Sequence, residues 1–175
     1  MLRLSGLSLV AGLLLAAGFA HADVKVGVIA SSTGPTAAVG IPQKNTVALL
    51  PTEIGGQKIE YIVLDDASDP TNAVTGVKKL LSEHKVDALI GPTTTPAALA
   101  ILDFVAESKT PLLTTVGSSS VVLPMDEKRK WVFKTTQNDD LIAEAVLAQM
   151  AANGIKTLGF IGFSDPYGEN WYKVF

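Results

Sequence analysis

Val86-Asp87-Ala88-Leu89-Ile90-Gly91-Pro92-Thr93-Thr94-Thr95-Pro96-Ala97 decides how this chain folds. A short apolar strand runs into a hydroxyl-rich turn. Pro96 stands where a first helical position is expected, because proline presets φ there without wasting an amide donor. The spacing predicts Thr95 as the N-cap of a helix whose Leu99, Ile101, Leu102, Phe104 and Val105 form a broad apolar face. The free N–H groups at such a helix start, on Ala97 and Ala98, carry the positive end of the helix dipole and suit a small anion such as a carboxylate. Three threonines also serve simply to turn and cap a chain, so the rest of the sequence has to separate the two readings.

The chain opens with Arg3, an apolar run from Leu7 to Phe19, and Ala20-His21-Ala22. That order of basic residue, apolar stretch and small-x-small site predicts a secretory signal peptide over residues 1–22. The apolar run is short of the roughly 20 residues a membrane span needs. An exported, periplasmic protein is therefore expected, with no membrane insertion of the mature chain. The whole chain carries 17 acidic and 14 basic side chains, and the leader removes a basic one only, so neither nucleic acid nor an anionic membrane is favoured as partner. There is no cysteine, hence neither a disulfide framework nor a lipid-modified cysteine after the leader.

Downstream, strand and helix patterns alternate. Val24–Ala30 is nearly continuous in apolar residues, as in a strand covered on both faces. A helix is expected from about Gln43 to Leu50, ended by Pro51, with 53–57 turning the chain back into a second strand, Lys58–Leu64. Asp65-Asp66-Ala67-Ser68-Asp69-Pro70 closes that strand and opens a helix with Ala73, Val74, Val77, Leu80 and Leu81 on one face. The three carboxylates read as turn and cap residues rather than a metal set, since Asp65 and Asp66 point apart at a strand end and Asp69 precedes a proline. After the central strand, a fourth, Pro111–Thr115, ends in Val116-Gly117-Ser118-Ser119-Ser120, and a fifth covers Trp131–Thr135. A helix from about Asp140 to Asn153 is expected to turn Leu141, Ile142, Ala145, Val146 and Met150 inward, followed by a sixth strand, Thr157–Phe163, a loop over Ser164–Glu169, and the first turns of a new helix over Asn170–Phe175. In an open α/β sheet the loops after strands one, three and four share the carboxyl edge, where ligands bind.

Enzyme chemistry finds little support. His84 is the only histidine outside the leader, so there is neither a Ser-His pair nor a zinc set, and Gly162-Phe163-Ser164-Asp165 lacks the glycine a nucleophile elbow needs. No phosphate-cradling or dinucleotide fingerprint follows strand one. No cofactor and no metal are expected.

Val24–Ala30 with Ser32-Thr33-Gly34-Pro35, then Asp65–Pro70, Val86–Pro92 and Tyr167-Gly168-Glu169, stand in the order and spacing of the leucine/isoleucine/valine-binding proteins. The chain resembles the amino-terminal part of such a receptor. The resemblance implies the type I periplasmic binding protein fold, a mainly parallel α/β sheet flanked by helices, with two lobes that close on a ligand delivered to the membrane permease of an ABC importer. It implies a first lobe over 23–138 that lacks returning strands, the truncated start of a second over 139–175, and a monomer when complete. It also implies site roles: Thr95 donates its hydroxyl to a ligand carboxylate, the main chain of Val116 and Gly117 with the Ser118 hydroxyl completes the clamp, and Tyr167 covers the ligand from the second lobe. The expected ligand is a branched-chain or other apolar amino acid. Val39, where leucine receptors carry an aromatic wall, and the run Leu50–Gln57 keep aromatic and other organic acids open. The rival readings are an exported α/β enzyme with catalytic residues beyond Phe175 and a sensory module on the same fold. Residues 23–175 alone are expected to bind little, because closure has no second jaw.

Overall fold

The computed structural model describes residues 23–175; the expected signal peptide lies outside the described residues. Strands β1 (Val24–Ala30), β3 (Gln57–Asp65), β4 (Ala88–Ile90), β5 (Leu112–Thr114) and β6 (Val132–Lys134) form a parallel sheet. A short edge strand, β2 (Glu53–Ile54), pairs antiparallel with β3 across Gly55-Gly56, where only a turn was expected. The spatial order is β2-β3-β1-β4-β5-β6. Strand order reverses between β1 and β4, so the crevice beyond their carboxyl ends is the sheet's topological switch point.

Four helices and their loops connect these strands and continue past β6: α1 (Ala37–Val47), α2 (Pro70–Lys79), α3 (Thr95–Ser108) and α4 (Asp139–Ala152), followed by α5 (Pro166–Val174). The register aligns Ile62, Gly27, Leu89, Leu112 and Val132 in one row across the sheet. Against that layer pack Ala73, Val77 and Leu80 from α2 and the turn after it, and Ala97, Ile101, Leu102 and Val105 from α3, which is the face expected from their spacing. Asp69 caps α2 through its carboxylate, accepting from the amides of Thr71 (2.7 Å) and Asn72 (3.1 Å), with Pro70 next. The opposite row, Val63-Val28-Ile90-Leu113-Phe133, is buried at Val28 but opens to solvent at Leu113 and Phe133.

Several expectations need correction. The first helix runs over Ala37–Val47 rather than from about Gln43 to Leu50, and it carries Pro42 inside it, about one and a half turns from either end. Thr94 rather than Thr95 caps α3: its hydroxyl accepts from Ala97 N–H at 3.4 Å and its carbonyl from Ala98 N–H at 3.0 Å. Those two amides are therefore occupied. On α4 the residues expected to face inward are mostly open; Ala143 is buried, whereas Leu141 and Val146 are exposed. Thr157–Phe163 is irregular chain without a ladder partner among the described residues, and Leu158, Phe160, Ile161 and Phe163 are exposed along it. A strand needs a neighbour to accept its backbone hydrogen bonds, and among the described residues none stands beside this one.

Candidate ligand-binding site

The crevice at the switch point is built by cross-linked loops. The loop after β1 is tied to the loop after β3: Asp65 accepts from Ser32 N–H (2.9 Å) and from the Thr33 hydroxyl (2.8 Å), while Asp66 accepts from the Ser31 hydroxyl at 2.6 Å. Ser68 fastens the next turn, accepting from Thr36 N–H at 3.1 Å and donating to the Thr33 carbonyl at 3.0 Å. The acidic run thus orders backbone, and among the described residues no three metal-ligating side chains converge. Partial burial pushes the Asp65 carboxyl up, but hydrogen bonds from Ala67, Thr33 and Ser32 outweigh it and hold the group down at about 2. A folded-state value below the ordinary 3.8 stabilises the fold above that pH, and the stabilisation disappears as pH falls through about 2. Acid unfolding of an Asp65→Asn variant should accordingly be flatter than wild type below about pH 4, as followed by circular dichroism against pH.

Gly91 turns the chain out of β4 at φ 104°, a conformation open to glycine, with its own N–H donating to Leu113 O at 3.0 Å. The turn delivers Thr93, Thr94 and Thr95 to a cavity of about 610 Å³. Its walls include Thr95 and Pro96 at the start of α3, Val116 and Gly117 after β5, Val39 and Gln43 on α1, and Phe163 and Tyr167 from the far side. The Thr95 side chain is 2% exposed, and its hydroxyl has no hydrogen-bond partner among the described residues. A buried hydroxyl without a partner is costly, and a ligand oxygen in the cavity would satisfy it.

On the β5 side, both carbonyls of the expected clamp are occupied. Val116 O accepts from the Thr136 hydroxyl at 2.7 Å, and Gly117 O from the Lys134 ammonium and from Asp139 N–H. The amides of Val116 and Gly117 have no backbone acceptor among the described residues and are what this loop can offer an anion. Gly117 packs closely on the Asp139 carboxylate: a Cβ there would stand 2.1 Å from Oδ1, so the Asp139 side chain would have to shift to admit one. Burial lowers the Lys134 ammonium and raises the Asp139 carboxyl from their ordinary values, and each group's charge opposes the other's shift.

Across the cavity, Asp165 caps α5 by accepting from Tyr167 N–H (2.9 Å) and Gly168 N–H (3.0 Å). A Cβ on Gly168 would lie 1.9 Å from Phe163 O, so glycine lets the first turn of α5 sit against the chain that carries Phe163. The Tyr167 ring packs edge-on against Trp171 at 6.4 Å.

Of the expected site residues, Thr95, Val116, Gly117 and Tyr167 come together around one cavity. Ser118 does not join them. It is fully buried, and its hydroxyl is taken up by Ser120, with 2.8 Å between the two oxygens and 3.3 Å to the Ser120 amide. A serine before a short turn caps that turn instead of facing the crevice. The sequence reading missed Gln43 and Phe163, because each sits inside a segment assigned to a different element or boundary.

The comparisons agree with this fold. An extracellular ligand-binding receptor from Rhodopseudomonas palustris HaA2 superposes with a TM-score of 0.85 at 54% identity, covering 87% of this chain and 42% of that one. A solute-binding protein of an ABC transporter from Rhodopseudomonas palustris BisB5, solved in complex with 3,4-dihydroxybenzoic acid, superposes at 0.79 with 26% identity, covering 87% of this chain and 42% of that one. The Leu/Ile/Val-binding protein BraC3 of Rhizobium johnstonii is 29% identical over 168 residues, 91% of this chain and 44% of the relative. The chain thus spans less than half the length of these relatives. Residues 23–173 match the family described as periplasmic binding protein, and the chain belongs to that family.

Proposed function

We propose that this chain supplies the first lobe and the opening of the second lobe of a substrate-binding receptor, exported to the periplasm behind the leader at residues 1–22, that hands a small apolar carboxylate to an ABC permease. The lobe boundary falls at residues 138–139, where α4 starts. The observation that carries the reading is the buried, unpartnered Thr95 hydroxyl in a cavity at the switch point. In this reading the Thr95 hydroxyl and the Val116 and Gly117 amides hold the carboxylate without an arginine, and Tyr167 closes over the apolar body. The protein binds and releases; it does not turn over its ligand.

For the ligand body, a branched-chain or other apolar amino acid is the first choice, supported by the likeness to a Leu/Ile/Val-binding protein. An aromatic acid is the second, supported by the apolar walls at Val39 and Phe163 and by the relative solved with 3,4-dihydroxybenzoic acid. Thermal unfolding of the full-length receptor with L-leucine, L-valine, benzoate and 3,4-dihydroxybenzoate separates them. A true ligand stabilises the folded state by about 2.7 kcal/mol when present at roughly 100 times Kd. The compound should be recovered unchanged afterwards; its consumption would establish an enzyme instead, and no shift with any of the four would overturn the carboxylate assignment.

A further inference from the structure

Gln43 is the one amide side chain in the cavity wall, and its hydrogen bonds run in a single direction. Thr93 Oγ1 accepts from Ser31 N–H at 2.9 Å, so its own proton goes to Gln43 Oε1, 2.6 Å away. On the other side Thr115 donates its proton to Pro92 O at 3.1 Å, which leaves its oxygen to accept from Gln43 Nε2 at 3.2 Å. An amide has one acceptor end and one donor end, and this pair of neighbours admits it in one orientation. Thr93 belongs to the loop that carries Thr95, and Thr115 directly precedes Val116 and Gly117. A side chain from α1 therefore spans the crevice between the two loops that present the expected clamp groups.

We propose that Gln43 is a ligand-positioning residue, a donor–acceptor strut that sets the spacing of the Thr95 and Val116–Gly117 loops and leaves its second Nε2 hydrogen for an oxygen of the bound acid. The assignment rests on the carboxylate-receptor reading for its ligand, but the strut itself can be tested without one. Glutamate in place of Gln43 keeps the shape and the acceptor end, yet fills the donor role only when protonated. Its folded-state pKa must then rise, so the stability it contributes is present at low pH and lost as pH climbs through that raised value. Methionine keeps the length and removes both roles at every pH.

The test uses the full-length receptor as wild type, Gln43→Glu and Gln43→Met, with thermal unfolding from pH 4 to 8 and titrations with L-leucine and with 3,4-dihydroxybenzoate. Asp66, which holds the Ser31 hydroxyl, Asp165 across the cavity and Lys44 beside Gln43 are the charged groups nearby. All three are common to the variants and cancel in the comparison with wild type. The gap in melting temperature between Gln43→Glu and wild type should widen as pH rises, while that of Gln43→Met stays constant. Affinity for the probe that wild type binds should drop about tenfold in Gln43→Met, and in Gln43→Glu the loss should be larger at pH 8 than at pH 5. A glutamate gap that does not change with pH, or methionine binding within about twofold of wild type, overturns the proposal. If wild type binds neither probe, the carboxylate reading has failed, and the pH dependence of the gap still decides the strut.

Discussion

Replacing Gly91 with alanine is expected to destabilise the fold by roughly 3–5 kcal/mol, with the binding crevice lost at the same time. Two effects add. The backbone at φ 104° is a conformation that a residue with a Cβ rarely adopts, and the new Cβ would stand 2.0 Å from the carbonyl oxygen of Ile29. That oxygen belongs to the neighbouring strand β1, so it cannot swing aside as a flexible side chain would. Because β1 and β4 flank the switch point, a displacement there shifts the loops carrying Ser31 and Thr93 together. Chemical denaturation of the full-length protein measures it through the midpoint. A loss below about 1 kcal/mol would mean that the strand end relaxes freely and that the turn is not fixed by this contact.

Substituting Thr95 by valine is expected to weaken carboxylate binding by about 1–3 kcal/mol, roughly five- to 150-fold, without destabilising the free protein. The two halves of this result have one origin. In the free protein the hydroxyl is buried and unpartnered, so an apolar group of equal volume removes a desolvated polar atom at no loss of hydrogen bonding. In the complex the same substitution leaves a carboxylate oxygen short of a donor. A melting temperature equal to or above wild type, together with the lower affinity by calorimetry, marks a binding residue. A lower melting temperature with unchanged affinity would assign Thr95 to the core and move the carboxylate elsewhere.

The parallel sheet and the apolar faces of α2 and α3 were legible in the sequence because they follow from periodicity: Val24–Ala30 has no polar face to expose, and Ala73, Val77 and Leu80 recur at helical spacing. The site was legible only to within a residue or a loop. Thr94 and Thr95 are chemically identical candidates for the cap before Pro96, and proline is tolerated at either of the first two helical positions, so composition alone does not choose between them. The choice matters, because the threonine that does not cap is the one with a free hydroxyl. Ser118 was misplaced for a related reason, since a hydroxyl followed two residues later by another can satisfy itself locally. Gln43 escaped notice because its partners, Thr93 and Thr115, are 50 and 72 residues away. The expected inward face of α4 and the expected strand over 157–163 were not borne out: both are apolar in pattern, but burial and pairing depend on a neighbour, and pattern does not supply one.

The irregular stretch Thr157–Phe163 has a further consequence, for colloidal behaviour. Thr157-Leu158-Gly159-Phe160-Ile161-Gly162-Phe163 holds no charge and no proline, and its backbone has no sheet partner among the described residues. Such a window is a ready template for intermolecular strand addition: one copy presents the amides and carbonyls that another copy's identical window can pair with, and aromatic side chains stack along the growing edge. Lys156 on one side and Asp165-Pro166 on the other are gatekeepers that oppose this stacking through like-charge repulsion and a missing amide. Removing the charge at Lys156, which is exposed and lies outside every strand of the sheet, is therefore expected to favour such pairing during synthesis and refolding.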